Sequence, residues 1–232
     1  MGSTEDLFTP IHKGIRSMIY DVGARLQSND FADLGASRPL LLDLEHEFSA
    51  AMSASCVLCL LHSHAGDEET GVFPAVGTHD AELVQRLIEE HHALTRRLRV
   101  ITQMAHDLEA DPSAEGRVRS GAALNREVND FFAEYLAHMN REEEKVVPLM
   151  QKHFTDDQLR AMRGAIMGGM APDRLASIVR WMLPSLNLAE LTGLIREAKG
   201  ALPPPAFQGM SGIAQKYVPP ARWQIVKERV GI

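Results

Sequence analysis

His64 and Glu68 stand four residues apart, and so do His138 and Glu142. On a helix four residues make slightly more than one turn, so each pair presents an imidazole and a carboxylate from one face to one place. Carboxylates in an apolar interior are strongly disfavoured unless they are protonated or bound to a cation. Imidazole with carboxylate, and no thiolate, suits iron or manganese, with zinc and copper also compatible. The chemistry to look for is a buried metal site. The chain has ten histidines, so the question is which of them belong to it.

Heptad spacing sorts them. A first apolar seam reads Phe8, His12, Ile15, Ile19, Val22, Leu26, and a second reads Val57, Leu61, His64, Glu68, Val72. The third is Val84, Leu87, His91, Leu94, Leu98, Ile101, Ala105, Leu108; the fourth is Leu124, Val128, Phe131, Tyr135, His138, Glu142, continuing to Val146 and Leu149. Each seam contributes one histidine, and the second and fourth add a glutamate. His46, His62, His79, His92, His106 and His153 fall off the seams or outside them. A single seam histidine reads as a hydrogen-bonded core residue. Six converging ionisable groups with no Lys or Arg on the seams read as a metal site.

These groups must be positioned by long helices. Apolar residues recur at three and four and never alternate for long, which predicts an all-α protein. Four long segments are expected at about 7–28, 38–73, 79–110 and 119–152, separated by Ser28-Asn29-Asp30, Gly77-Thr78 and Asp111-Pro112-Ser113 with Gly116. Thr78, with Glu82 and Asp80, suits the third start, and Pro148 bends or frays the fourth end. Short links favour an antiparallel up-down four-helix bundle over residues 1–154. His12, early in its helix, His64 and Glu68, late, His91, early, and His138 and Glu142, late, then share one end. His46 precedes His64 by 18 residues, roughly 27 Å along a helix, and cannot join them. Residues 155–232 form a C-terminal helical extension of pieces at about 156–167, 171–183 and 187–199 and a proline-bounded remainder, packing on the bundle or a partner subunit.

Composition narrows the function classes. With 24 basic and 31 acidic residues, a pI near 5.8 and no Lys/Arg block, no nucleic-acid-binding face is predicted. No stretch is apolar enough for a membrane span, and the N-terminal residues lack the order of a signal peptide, so the expected location is the cytoplasm. Cys56 and Cys59 lie in an apolar helical run and read as buried small core residues rather than a redox pair.

At these residues the chain resembles the hemerythrin HHE cation-binding family. The signatures are His64-Ala-Gly-Asp-Glu68 with Phe73-Pro74 and His138-Met-Asn-Arg-Glu142 with Pro148, preceded by His12-Lys-Gly-Ile-Arg16 and Glu90-His91. The resemblance covers about residues 7–152. It implies a non-heme di-iron centre with an oxo or hydroxo bridge, manganese or zinc being possible substitutes. By that resemblance His12, His64, His91 and His138 are ligands and Glu68 and Glu142 bridge. His12 and His64 would serve one ion, His91 and His138 the other. Two departures stand out. Oxygen carriers of the family place two histidines four apart on the third helix, whereas Leu87 and Thr95 flank His91 at that spacing. They also use an aspartate five residues after the last histidine, where this chain has Glu143; register favours Glu142, with Glu143 the fallback ligand.

Three functions are consistent with this reading. The first is a redox-responsive protein that binds or senses oxygen, peroxide or nitric oxide, or buffers iron; its ligand is a small diatomic or a peroxide. The second is a di-iron oxidoreductase that decomposes peroxide or oxidises a small substrate. The third is a metal-stabilised interaction module whose extension, with Trp181 and Trp223, makes a homodimer or meets a partner. Tyr135 either hydrogen-bonds a bound oxygen species or fills the core, the latter preferred, and Arg16 reads as a surface charge.

Overall fold

The computed structural model describes residues 4–44 and 57–232, and every regular element among them is helical. The middle of the expected 38–73 segment, with His46 and Cys56, lies outside the described residues. Cys59 is buried, as a small core residue would be, but it is disulfide-bonded rather than a free thiol.

The helices are α1 (Thr9–Ser28), α2 (Leu34–Leu44), α3 (Val57–Gly71), the single turn α4 (Phe73–Val76), α5 (Ala81–Ala110) and α6 (Ala114–Arg141), followed by a π-helical turn (Glu142–Val146) and α7 (Val147–His153). Then come α8 (Asp156–Gly168), α9 (Pro172–Ser185), α10 (Leu188–Ala201), α11 (Pro204–Tyr217) and α12 (Pro220–Val230). Contacts divide the chain into two units, one formed by the residues up to Phe8 and Met18–Gly169, the other by Thr9–Ser17 and Met170–Ile232.

In the first unit α5 and α6 pack along one another, and α2 and α3 each pack on α5. Their starts differ from the sequence expectation for identifiable reasons. Asp80, not Thr78, caps α5 by accepting from the Leu83 N–H at 2.9 Å, while the Thr78 hydroxyl donates to the Ala75 carbonyl. Helix α6 begins at Ala114, five residues earlier than expected, because the Ser113 hydroxyl accepts from the Gly116 N–H at 2.9 Å. Gly116 is therefore part of the cap rather than a breaker; a Cβ there would run into the Asp111 carboxylate at 2.0 Å.

The seams are buried nearly as the heptads require. Leu87, Leu98, Ile101, Leu108, Leu124, Val128 and Phe131 are at most 1% exposed, each such side chain contributing roughly 1.5–3 kcal/mol. One correction falls at the fourth seam's end: Met150 is buried, whereas the expected Leu149 is only partly so. The π turn is the cause. Its Val147 N–H reaches back to the Glu142 carbonyl, one residue more than an α-helix allows, and this advances the buried face by one position. At the start of α5, Leu83 is buried and Val84 half-buried. Helix α8, started by a Thr155–Gln158 capping box, contributes Leu159 to the core of Phe8, Phe73, Leu87 and Val146.

The second unit has its own core of Val179, Leu183, Leu186, Leu191, Ile195, Ala214, Val218, Trp223 and Val226. Proline at the first position starts α9, α11 and α12, where its missing N–H costs nothing, and Asn187 and Glu190 form a capping box on α10. Lys13 pairs with Glu190 within this unit. Trp223 is 3% exposed, so it fills this core and is not offered to a partner.

Candidate metal centre

Four side chains from three helices and the π turn of the first unit meet in its interior. Glu68 comes from α3, His91 from α5, His138 from the last turn of α6 and Glu142 from the first residue of the π turn. Their side chains are no more than 5% exposed, and one ligand atom from each lies within 4.8 Å of the others. His138 Nε2 is 3.0 Å from Glu142 Oε1. His91 Nε2 is 3.4 Å from Glu68 Oε2, 3.7 Å from Glu142 Oε1 and 2.9 Å from His138 Nε2. His64, less deeply buried, sets its Nε2 3.1 Å from Glu68 Oε1, as the four-residue spacing requires.

The outer nitrogens decide what the inner ones are. His91 Nδ1 lies 2.9 Å from Glu69 Oε1, and His138 Nδ1 lies 2.7 Å from Glu90 Oε2. A carboxylate only accepts, so both Nδ1 atoms carry the proton and donate. In neutral imidazoles both Nε2 atoms then carry lone pairs, and these face each other at 2.9 Å between two carboxylates. That arrangement is tolerable only with a cation among the four groups, a proton or a metal ion. Histidine with its far nitrogen held by a carboxylate is the usual form of a metal-binding imidazole. Nitrogen and carboxylate oxygen without thiolate fit iron, manganese or zinc.

The electrostatics agree. Burial lowers the pKa of His91, but Glu142 and Glu68 outweigh it and raise it to about 10. Burial likewise lowers that of His138 while Glu142 and Glu90 raise it, with a net upward shift. Burial and the Glu68 charge push Glu142 up, yet hydrogen bonds from His138 and His91 leave it depressed. In the absence of metal the cluster thus holds its protons on nitrogen.

Around the cluster, Phe73 stacks on His91 with ring centroids 5.5 Å apart. Tyr135 donates its hydroxyl to the Leu61 carbonyl at 3.1 Å and is 3% exposed, which makes it a core residue. Burial and the charges of Glu68 and Glu142 raise its pKa far above the ordinary value.

Of the six residues singled out by the seams, the first unit brings together His64, Glu68, His91, His138 and Glu142. His12 is 0% exposed, on the part of α1 that groups with the second unit. Glu142 and not Glu143 enters the cluster. His92, His79, His106 and His153 are exposed, and His62 is half-buried with its Nδ1 3.4 Å from the Thr95 hydroxyl. Heptad reasoning missed Glu69 and Glu90, because both lie off the apolar seams. Their signal is adjacency: Glu69 follows Glu68 and Glu90 precedes His91, so each lies about 100° round its helix from a seam position.

The description of the hemerythrin HHE cation binding domain matches residues 5–150, more than half of the chain. No curated protein and no solved structure matches it. Among the described residues no helix is long and apolar enough to cross a membrane.

Proposed function

Because the chain belongs to the hemerythrin HHE cation-binding family, we propose that its buried cluster holds two non-heme iron ions and that the protein binds or senses oxygen, peroxide or nitric oxide, or buffers iron. The observation that carries this reading is the pair of opposed Nε2 atoms, each fixed as an electron-pair donor by a carboxylate on Nδ1. In this assignment His91 and His138 would hold one ion and His12 and His64 the other, with Glu68 and Glu142 as the carboxylates that would be shared between them. Manganese or zinc would fit the same donors.

His12 is assigned by the family resemblance, on the motif His12-Lys-Gly-Ile-Arg16, and its side chain is fully buried. The scaffold in this reading is an antiparallel bundle of α1, α3, α5 and α6. Residues 155–232 are then an extension suited to packing or to homodimer contact.

Bound iron would supply a redox-active Lewis acid with room for a small ligand. The chain's residues do the rest. Glu68 and Glu142 neutralise positive charge in an interior that could not otherwise hold it, and Phe73 and Tyr135 exclude water. Leu87 and Thr95, in place of a further histidine, leave the donor set smaller than in the oxygen carriers, which favours sensing, iron buffering or reaction over reversible carriage.

Metal analysis joined to absorption spectra in air and after reduction tests the proposal. Two irons per chain with ligand-to-iron charge-transfer bands that bleach on reduction are expected. Iron-loaded protein that is colourless, or that holds fewer than two metals per chain, would overturn it.

A further inference from the structure

Glu69 and Glu90 occupy equivalent places and differ in one respect. Each has its side chain about a third exposed, 32% and 31%, and each holds the Nδ1 of an imidazole that is 3% or 2% exposed. Each acts across a helix boundary, Glu69 of α3 on His91 of α5, and Glu90 of α5 on His138 of α6. Glu90 is shared. Its Oε2 also accepts from Arg141 Nε at 3.1 Å and Nη2 at 2.9 Å, whereas no lysine or arginine forms a salt bridge with Glu69 among the described residues.

From this geometry we infer that Glu69 and Glu90 are positioning residues that set the donor strength of His91 and His138, and that Arg141 selectively weakens the second. The inference rests on the metal reading above. A carboxylate accepting from Nδ1–H fixes the ring and pushes electron density towards Nε2, making the imidazole a better metal donor. Glu69 shares its charge with no guanidinium or ammonium among the described residues. Glu90 splits its charge between His138 and a guanidinium, so His138 is the poorer donor although its hydrogen bond is the shorter. Arg141 is 46% exposed, so a charge at the protein surface reaches the buried site through one carboxylate oxygen.

The test is a set of variants of the full chain loaded with iron, read by metal dissociation constant and by midpoint reduction potential. Glutamine retains the acceptor oxygen and removes the charge. Glu69→Gln and Glu90→Gln are expected to weaken metal binding about 10–100-fold and to raise the potential, since a weaker donor favours the reduced ion. Arg141→Gln is expected to lower the potential, and to lose that effect when combined with Glu90→Gln. Arg86→Gln, which removes a nearby charge paired with Glu82 and not with Glu90, should leave the potential in place.

An Arg141→Gln shift that persists undiminished beside Glu90→Gln, or that Arg86→Gln reproduces, overturns the inference, because the effect is then through-space charge alone. Unaltered affinity and potential in Glu69→Gln overturn it as well. In both cases the wild-type protein still loads iron. Failure of the wild-type protein to take up metal overturns the metal reading and this inference together.

Discussion

Loading the metal-free protein with a divalent ion should expel protons, and His91 sets the amount. A group with a pKa of about 10 is almost fully protonated at pH 7, while metal coordination needs its Nε2 lone pair. Roughly one proton must therefore leave His91 on binding, and His138, also shifted upward, adds to the release. Competition with that proton weakens apparent affinity at pH 7 by about three powers of ten, or about 4 kcal/mol. Affinity should strengthen at least about tenfold per pH unit between 7 and 9, about tenfold coming from His91 alone. Calorimetric titration with zinc in buffers of different ionisation enthalpy measures both quantities. Zinc binding that releases no proton at pH 7 and keeps one affinity across that range would refute the reasoning.

The same proton links stability to pH when metal is absent. His91 has a folded pKa above its unfolded value of 6.5, so its stabilising contribution is complete below 6.5 and disappears as the pH rises through about 10. Glu142 is depressed below 4.5, so its contribution is present above 4.5 and lost as the pH falls through its lowered folded value. The thermal midpoint of metal-free protein should fall between pH 7 and 10, while that of zinc-loaded protein should not.

Further outcomes follow from the packing. Tyr135→Phe removes the hydrogen bond to the Leu61 carbonyl and should cost about 0.5–1.5 kcal/mol in urea unfolding with the iron spectrum unaltered; a changed spectrum would mean that the hydroxyl touches the centre. Gly121→Ala would set a Cβ 2.2 Å from the Phe31 ring, and the overpacking should cost about 1–3 kcal/mol, recovered in part by Phe31→Leu; a neutral effect in denaturation would show that the contact is slack. Trp223→Ala should cost about 3–5 kcal/mol by cavity formation in the second unit's core, and a loss under 1 kcal/mol would contradict that burial. Chelation should lower the thermal midpoint of iron-loaded protein, by about 4 kcal/mol of stability when free metal had stood at about 1,000 times its dissociation constant.

The sequence by itself determined that the chain is helical, where most seams lie and that His64, Glu68, His91, His138 and Glu142 share a buried region, because burial follows a 3.6-residue period that a single chain displays. It chose Glu142 over Glu143 for the same reason. It put the start of α6 five residues late and named Thr78 rather than Asp80 as the cap of α5, since a cap is a local contest among Thr78, Asp80, Ser113 and Gly116 that side-chain hydrogen bonds settle. It also missed the one-residue advance from Leu149 to Met150, because a π turn leaves no periodic mark ahead of it. Only the tertiary structure decided which nitrogen of each histidine faces inward. That choice depends on Glu69 and Glu90 reaching across from neighbouring helices, and hydrogen bonds between helices have no spacing rule along the chain.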